Sequence, residues 1–366
     1  MKKLLVLILA ISLSVPVSAK GVEYGQDATG DPNAVWVMGA SGFLYSDRIV
    51  FTVAHTIEYF GNDLNASYLF APGVKIGSAQ KKYFAQKILI APTYRARVGT
   101  DNTRVDDFAI IILRESMPVR NSVQVASPAD IESFIREKAP IEMVGYGLQN
   151  EAMRTDLQAK NNLAPHKMTS VLVSGEDLRK YYNAYPGWMQ PTQTILEFGI
   201  PNNATNGSVC DGDSGAGFFV EKGNTRYYLG GVGGSQAGIT NCNGSFVKFA
   251  PHGGMSGFSP TYKFLALIKE AEDFVANEKK LEAAKEEARI AAELKVKQET
   301  DAKAAAELKA KQEADAKAAA DLRAKLESEA EAAALKKRTI ICIKGKLVKK
   351  VTAVKPKCPS GYKLKK

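Results

Sequence analysis

Histidine is scarce in this chain. His55, His166 and His252 are the only three in 366 residues, so chemistry that needs an imidazole base has three candidates. Long apolar runs are also missing. Past the N-terminus nothing approaches the roughly 18 uninterrupted apolar residues of a membrane-spanning helix, so no transmembrane segment is expected. The four cysteines, Cys210, Cys242, Cys342 and Cys358, contain no CxxC pair. That spacing argues against zinc, and no metal or other cofactor is expected. Proline and glycine are absent from 261–337, and acidic residues are absent from 336–366.

What is present begins with a leader, MKKLLVLILAISLSVPVSA. Two lysines precede an apolar run from Leu4 to about Leu13, and Val17-Ser18-Ala19 supplies small residues before a cut. The pattern predicts cleavage after Ala19 and a secreted, periplasmic or cell-surface location. An even cysteine count in such an oxidising compartment favours disulfides. Three connectivities are possible, and the pairing of Cys210 with Cys242 and of Cys342 with Cys358 keeps each bridge within one region. Closures of this size contribute about 3–4 kcal/mol each in the chain-entropy description.

The net charge of +10 is local. Residues 336–366 carry twelve Lys or Arg, so everything before them sums to 10 − 12 = −2. In an exported protein such a tail points to an anionic cell-envelope polymer or lipid head groups before nucleic acid, which is not expected as a partner.

From about Val22 to Phe258, short apolar runs such as VWVMGASGFLY, RIVFTVAH, FAIIIL, IEMVGYG and YYLGGVGG are broken by Gly, Asn, Asp and Pro. That rhythm predicts many short strands in a barrel or sandwich, and roughly 235 residues suit two small barrels. Beyond Pro260 the residues Ala, Glu, Lys and Leu take over. A fourteen-residue register runs from AAELKVKQETDAKA at 291 through two further copies, with Leu294, Leu308 and Leu322 in equivalent places. The intervening heptad positions are the charged Asp301 and Asp315, so the seam is thin for a coiled coil and a solvated helical spacer is expected. An oligomerising stalk is the alternative, and the oligomeric state stays open. The last 28 residues return to β-type residues among lysines and predict a hairpin stapled by Cys342–Cys358. The expected division is 1–19 leader, 20–277 main domain, 278–338 helical stalk and 339–366 basic tail.

A serine hydroxyl becomes a nucleophile when a base takes its proton, and the base needs an orienting group. His55 ends the apolar stretch RIVFTVAH, Asp107 begins DFAIIIL, and Ser214 sits in CDGDSGAG. These three segments, in the order His, Asp, Ser, resemble the TAAHC, DIAL and GDSGGP markers of the trypsin-like (chymotrypsin-fold) serine proteases. Val144-Gly145-Tyr146-Gly147 resembles the family's TGWG strand, and Tyr228–Gly234 its pocket-lining strand. Tyr262–Asn277 stands where the closing helix is expected, so the resemblance covers about residues 22–277.

The resemblance implies a mostly β fold of two six-stranded antiparallel β-barrels with a C-terminal helix, here followed by the long helical stalk and the small basic tail. It also implies a serine endopeptidase acting on polypeptide substrates. In that scheme His55 is the general base, Asp107 its orienting acid and Ser214 the nucleophile, while the Gly212 and Ser214 amides meet the oxyanion. Asp106 is the competing acid; His166 and His252 read as surface loop residues. Cys210 stands at a family half-cystine, with Cys242 its suited partner. Ser208 falls at the floor of the specificity pocket and Gly233, Gly234 and Gly244 on its wall, which points to a large apolar or aromatic residue on the acyl side of the cut. VEYGQDA resembles the segment after the family's activation cut, making Val22 the mature N-terminus, Lys20-Gly21 a remnant and Asp213 the partner of the new α-amino group, in a zymogen. Departures from the pattern are Thr56 in place of a cysteine and Ala216-Gly217 in place of Gly-Pro. The alternative function is a catalytically silent binding protein of the same fold, displayed on the stalk.

Overall fold

The computed structural model describes residues 25–60, 63–77, 80–96, 104–148, 163–174, 176–177, 198–201, 207, 209–233, 236–237, 255–258 and 260–366. The leader and Val22 lie outside the described residues. The chain divides into two compact units, Met1–Lys279 and Lys280–Lys366.

In the first unit a short strand β1 (Gln26–Asp27) precedes a closed barrel. Its strands are β2 (Ala34–Val37), β3 (Ala40–Ser46), β4 (Ile49–Thr52), β5 (Tyr68–Phe70), β6 (Lys82–Ile90) and β7 (Ala109–Leu113), in the order β2-β3-β4-β7-β6-β5. The β2–β3 hairpin turns through Met38 and Gly39, both at positive φ (45° and 91°). That is the two-residue turn whose twist matches paired strands. Strand β7 is buried along its whole length because both of its faces are covered. Alternate side chains on a strand point to opposite faces. Ala109, Ile111 and Leu113 therefore join the barrel interior with Val35, Leu44, Val50 and Leu69, whereas Ile110 and Ile112 join a second cluster outside it with Phe51, Tyr228 and Ile268. This explains why FAIIIL reads as an unbroken apolar run instead of an alternating one.

The remaining β-strands of this unit form two further sheets. The larger comprises β1, β8 (Ser122–Val125), β9 (Pro140–Gly145), β10 (His166–Val171), β13 (Gly217–Lys222) and β14 (Thr225–Gly231), in the order β1-β10-β9-β13-β14-β8. Its β14–β8 pairing is parallel. The smaller joins β11 (Val173–Ser174), β12 (Phe198–Pro201), β16 (Met255–Phe258) and β15 (Gln236–Ala237) in that order. Phe218, Phe258, Met143, Met168 and Leu229 lie in the core cluster of this half. An aromatic layer binds the two halves: the Phe43 and Tyr228 ring centroids lie 4.7 Å apart, and Phe108 stacks on Phe264 at 4.8 Å. Such pairs add about 0.5–1.5 kcal/mol each beyond the area they bury.

Among the described residues, helices α1 (Ala54–Phe60) and α2 (Pro128–Glu137) interrupt the run of strands that the sequence predicts. Helix α2 has Ser127 capping the Asp130 N–H, the Asp130 carboxylate returning to the Ser127 N–H, and Pro128 in the first turn. This reciprocal cap is written in SPAD, three residues from cap to acid.

Helix α3 spans Leu265–Ala334 and crosses the unit boundary. Ile268, Ala271 and Val275 are its buried residues. Their spacing of three and four gives one apolar stripe confined to the first three turns. Around that stripe Glu272 accepts from Tyr45, Glu278 from Gln86 and Glu270 from Lys87, and Lys279 pairs with Asp47.

In the second unit the rest of α3 is exposed, Leu294, Leu308 and Leu322 included. Pairs such as Arg289 with Glu286 and Arg323 with Glu327 line it at the i,i+3 and i,i+4 spacings that face each other on a helix. A three-stranded sheet follows: β17 (Arg338–Lys344), β18 (Leu347–Ala353) and β19 (Lys363–Leu364), in the order β18-β17-β19. Cys342 is disulfide-bonded to Cys358, with 5.6 Å between their Cα atoms, as the spacing predicts.

Candidate active site

The three chemically paired side chains come from separate elements. Strand β4 delivers the chain directly into α1, so His55 stands in the first turn of that helix, where backbone N–H groups lack intrahelical partners. Asp107 supplies one: the His55 N–H donates to Asp107 Oδ1 at 2.9 Å. The same carboxylate holds the ring, with His55 Nδ1 at 2.7 Å from Asp107 Oδ2. On the far side His55 Nε2 lies 2.9 Å from Ser214 Oγ. The imidazole is 15% exposed and the Asp107 side chain 5%, so the ring faces solvent from one side while the acid is enclosed.

Asp106 is absent from this chain of contacts. It takes up positive φ (50°), a conformation that Asp tolerates better than most residues, and its carbonyl accepts the Phe108 N–H at 2.8 Å. The tight turn leaves Asp107 facing the histidine.

The turn around Ser214 is braced from the first barrel. Gly212 and Gly215 both need positive φ (93° and 85°). A Cβ on Gly215 would come within 2.2 Å of the Ser41 carbonyl oxygen, so a side chain there is excluded. Ser41 is fully buried and touches the turn twice. Its N–H donates to the Ser214 carbonyl at 2.9 Å, and its hydroxyl donates to the Gly212 carbonyl at 2.8 Å. The same hydroxyl accepts the Tyr146 N–H at 2.8 Å, and Thr52 Oγ1 donates to the Ser41 carbonyl at 3.0 Å. The Asp211 carbonyl accepts from Leu148 N–H at 2.7 Å. The peptide planes on both sides of Gly212 are thereby held. The Ser41 contacts with Gly212, Ser214 and Tyr146 span more than a hundred residues of sequence, and a serine in a short apolar run carries no local mark of them.

Asp213 is completely buried. Its Oδ1 accepts from Gly147 N–H and its Oδ2 from Cys210 N–H, each at 2.8 Å. A Cβ on Gly147 would lie 2.5 Å from the carboxyl carbon, which accounts for one glycine of VGYG. Burial pushes the Asp213 carboxyl up to about 7, against the opposing pull of those two N–H donors.

Other expected residues fall in several places. Gly233 lies against the acid: a Cβ there would stand 2.7 Å from Asp107 Oδ2 and 2.6 Å from Val53 Cγ1. Cys210 is disulfide-bonded and buried. Ser208, Gly234, Cys242, Gly244 and His252 lie outside the described residues. His166 corrects the reading of it as a surface loop residue. It is buried in β10, with its Nδ1 2.8 Å from the Ala164 carbonyl, because the strand pairs with β9 on one side and β1 on the other. Thr56 is also buried beside the histidine. Among the described residues no group of His, Cys, Asp or Glu could hold a metal ion, and no helix is long and apolar enough to cross a membrane.

Comparison with known proteins agrees with this architecture. No curated protein matches the chain. Residues 28–251, more than half of the sequence, match the family model described as Trypsin, and the chain belongs to the trypsin family.

Proposed function

We propose that the protein is a secreted serine endopeptidase that cuts polypeptides through an acyl-enzyme on Ser214. The observation that carries this reading is the continuous hydrogen-bonded path from Asp107 through His55 to Ser214 Oγ. His55 Nε2 takes the hydroxyl proton as Ser214 Oγ attacks the scissile carbonyl, and Asp107 keeps Nδ1 protonated and stabilises the imidazolium. The carbonyl oxygen, now an anion, sits against the N–H groups of Gly212 and Ser214. The C–N bond then breaks, and His55 passes its proton to the leaving amine. Water attacks the ester, His55 takes a proton from it, and the C–O bond to Ser214 breaks to restore the hydroxyl.

Specificity follows the uncharged Ser208 at the proposed pocket floor, with Gly233, Gly234 and Gly244 on the wall, and favours a large apolar or aromatic residue on the acyl side. The basic tail, on this reading, retains the enzyme on an anionic envelope. Val22 is the N-terminus of the mature enzyme, and its ammonium is the partner that the buried Asp213 carboxylate needs.

A fluorophosphonate probe tests the catalytic reading. The chain beginning at Val22 should be labelled and its Ser214→Ala variant should not. No labelling of material with a verified Val22 terminus would replace the enzyme with the silent binding protein. Because a general base must be neutral, the rate should also fall toward acid, and a rate with no acid limb counts against His55.

A further inference from the structure

The tail sheet has an apolar tip that its fold does not use. The β17–β18 hairpin reverses at Gly345-Lys346, with Gly345 at φ 56°. The next two residues, Leu347 and Val348, are each 62% exposed, and Leu364 on β19 is 55% exposed. Pairing opposite Lys344 puts Leu347 on the same face as Leu364, which pairs opposite Cys342. Val348 pairs opposite Ile343 and so takes the other face. The tip is therefore apolar on both sides. What holds the sheet lies elsewhere: Cys342 is fully buried and bonded to Cys358, so the staple substitutes for a core that so short a segment cannot build.

Lysines 344, 346 and 349 surround this tip, among twelve cations in 336–366 with no acid to neutralise them. A soluble polyanion would match the charge but leave Leu347 and Val348 in water. A bilayer with acidic lipids offers negative head groups for the lysines and an acyl boundary for the apolar pair.

We propose that the C-terminal sheet docks on an anionic phospholipid surface, with Leu347 and Val348 entering the interface and Lys344, Lys346 and Lys349 lying on the head groups. This rests on the retention role proposed for the tail and narrows it to a lipid partner.

The test uses the full mature chain carrying Ser214→Ala, sedimented with vesicles of phosphatidylcholine with or without phosphatidylglycerol. Binding should require the anionic lipid and weaken as salt rises. Leu347→Ser with Val348→Ser should lower affinity about tenfold at constant salt, from the apolar area no longer withdrawn from water. Lys346→Gln with Lys349→Gln should flatten the salt dependence while the apolar pair is intact. Undiminished affinity in the double serine variant would overturn the proposal. So would binding to soluble poly(glycerol phosphate) without binding to vesicles, which leaves the broader retention role standing. Binding to neither removes both.

Discussion

The Ser41 hydroxyl donates to the Gly212 carbonyl across 2.8 Å, tying the first barrel to the turn that carries Ser214. Because the same oxygen accepts from Tyr146 N–H, its loss frees one peptide plane next to the proposed oxyanion donors and leaves one buried N–H unpaired. Ser41→Ala should lower kcat about tenfold with KM little changed, less than the hundredfold or more expected from losing an oxyanion donor outright. It should also cost about 1–3 kcal/mol in urea unfolding. A rise in KM at constant kcat would show that Ser41 serves substrate binding instead.

Asp107→Asn keeps the shape of the acid but presents an amide to the ring, favouring the wrong imidazole tautomer. A loss of about 10⁴ in kcat is expected, with the fold retained. Steady-state kinetics beside a thermal melt separates the two effects. A loss below tenfold would show that Asp107 does not orient His55.

Asp213 makes the fold sensitive to pH. Its folded carboxyl titrates near 7, above the ordinary 3.8. The folded state therefore holds a proton that the unfolded chain has released, so stability from this group is complete at low pH and lost as pH rises from about 4 through about 7. The integrated loss reaches about 4 kcal/mol at most. In the chain with Lys20-Gly21 still attached, Asp213→Asn should gain relative to the parent as pH rises from about 4 to about 7, measured by urea unfolding. With Val22 free, its ammonium should stabilise the carboxylate and flatten that difference. An unchanged difference across the range in both forms would remove the pairing.

Arg226 on β14 reaches back to the segment before β2. Its Nη1 donates to Asp31 Oδ1 and Oδ2 at 3.0 and 2.8 Å and to Asn33 Oδ1 at 3.0 Å, and its guanidinium lies 4.1 Å from the Phe219 ring. Both charged side chains are under 10% exposed. Arg226→Ala leaves Asp31 buried without its cation and should cost about 3–5 kcal/mol. Replacing both partners with apolar residues should cost much less, which a double-mutant cycle in urea will show.

Parts of this molecule are legible from short range. The strand rhythm, the glycines that permit the Ser214 turn, the apolar run after Asp107 and the Cys342–Cys358 pairing all follow from turn chemistry, side-chain period and spacing. Helix α2 also has a local start signal in Ser127, Pro128 and Asp130, which the reading of 22–258 as strands passed over. Ser41 was not legible, because its importance lies in partners at Gly212 and Tyr146. His166 was misread because a lone histidine between Pro165 and Lys167 gives no sign of strands closing over it.

Residue types, turns and the order His55, Asp107, Ser214 are properties of the sequence by itself, since each rests on backbone preferences a few residues long. Only tertiary structure decided that Asp107 and not Asp106 meets the ring, that Gly233 lies against that acid, and that Ser41 braces Gly212. Those outcomes depend on closing a barrel and packing a second sheet against it. They are set by distances between segments 52 to 171 residues apart, over which local propensity carries no information.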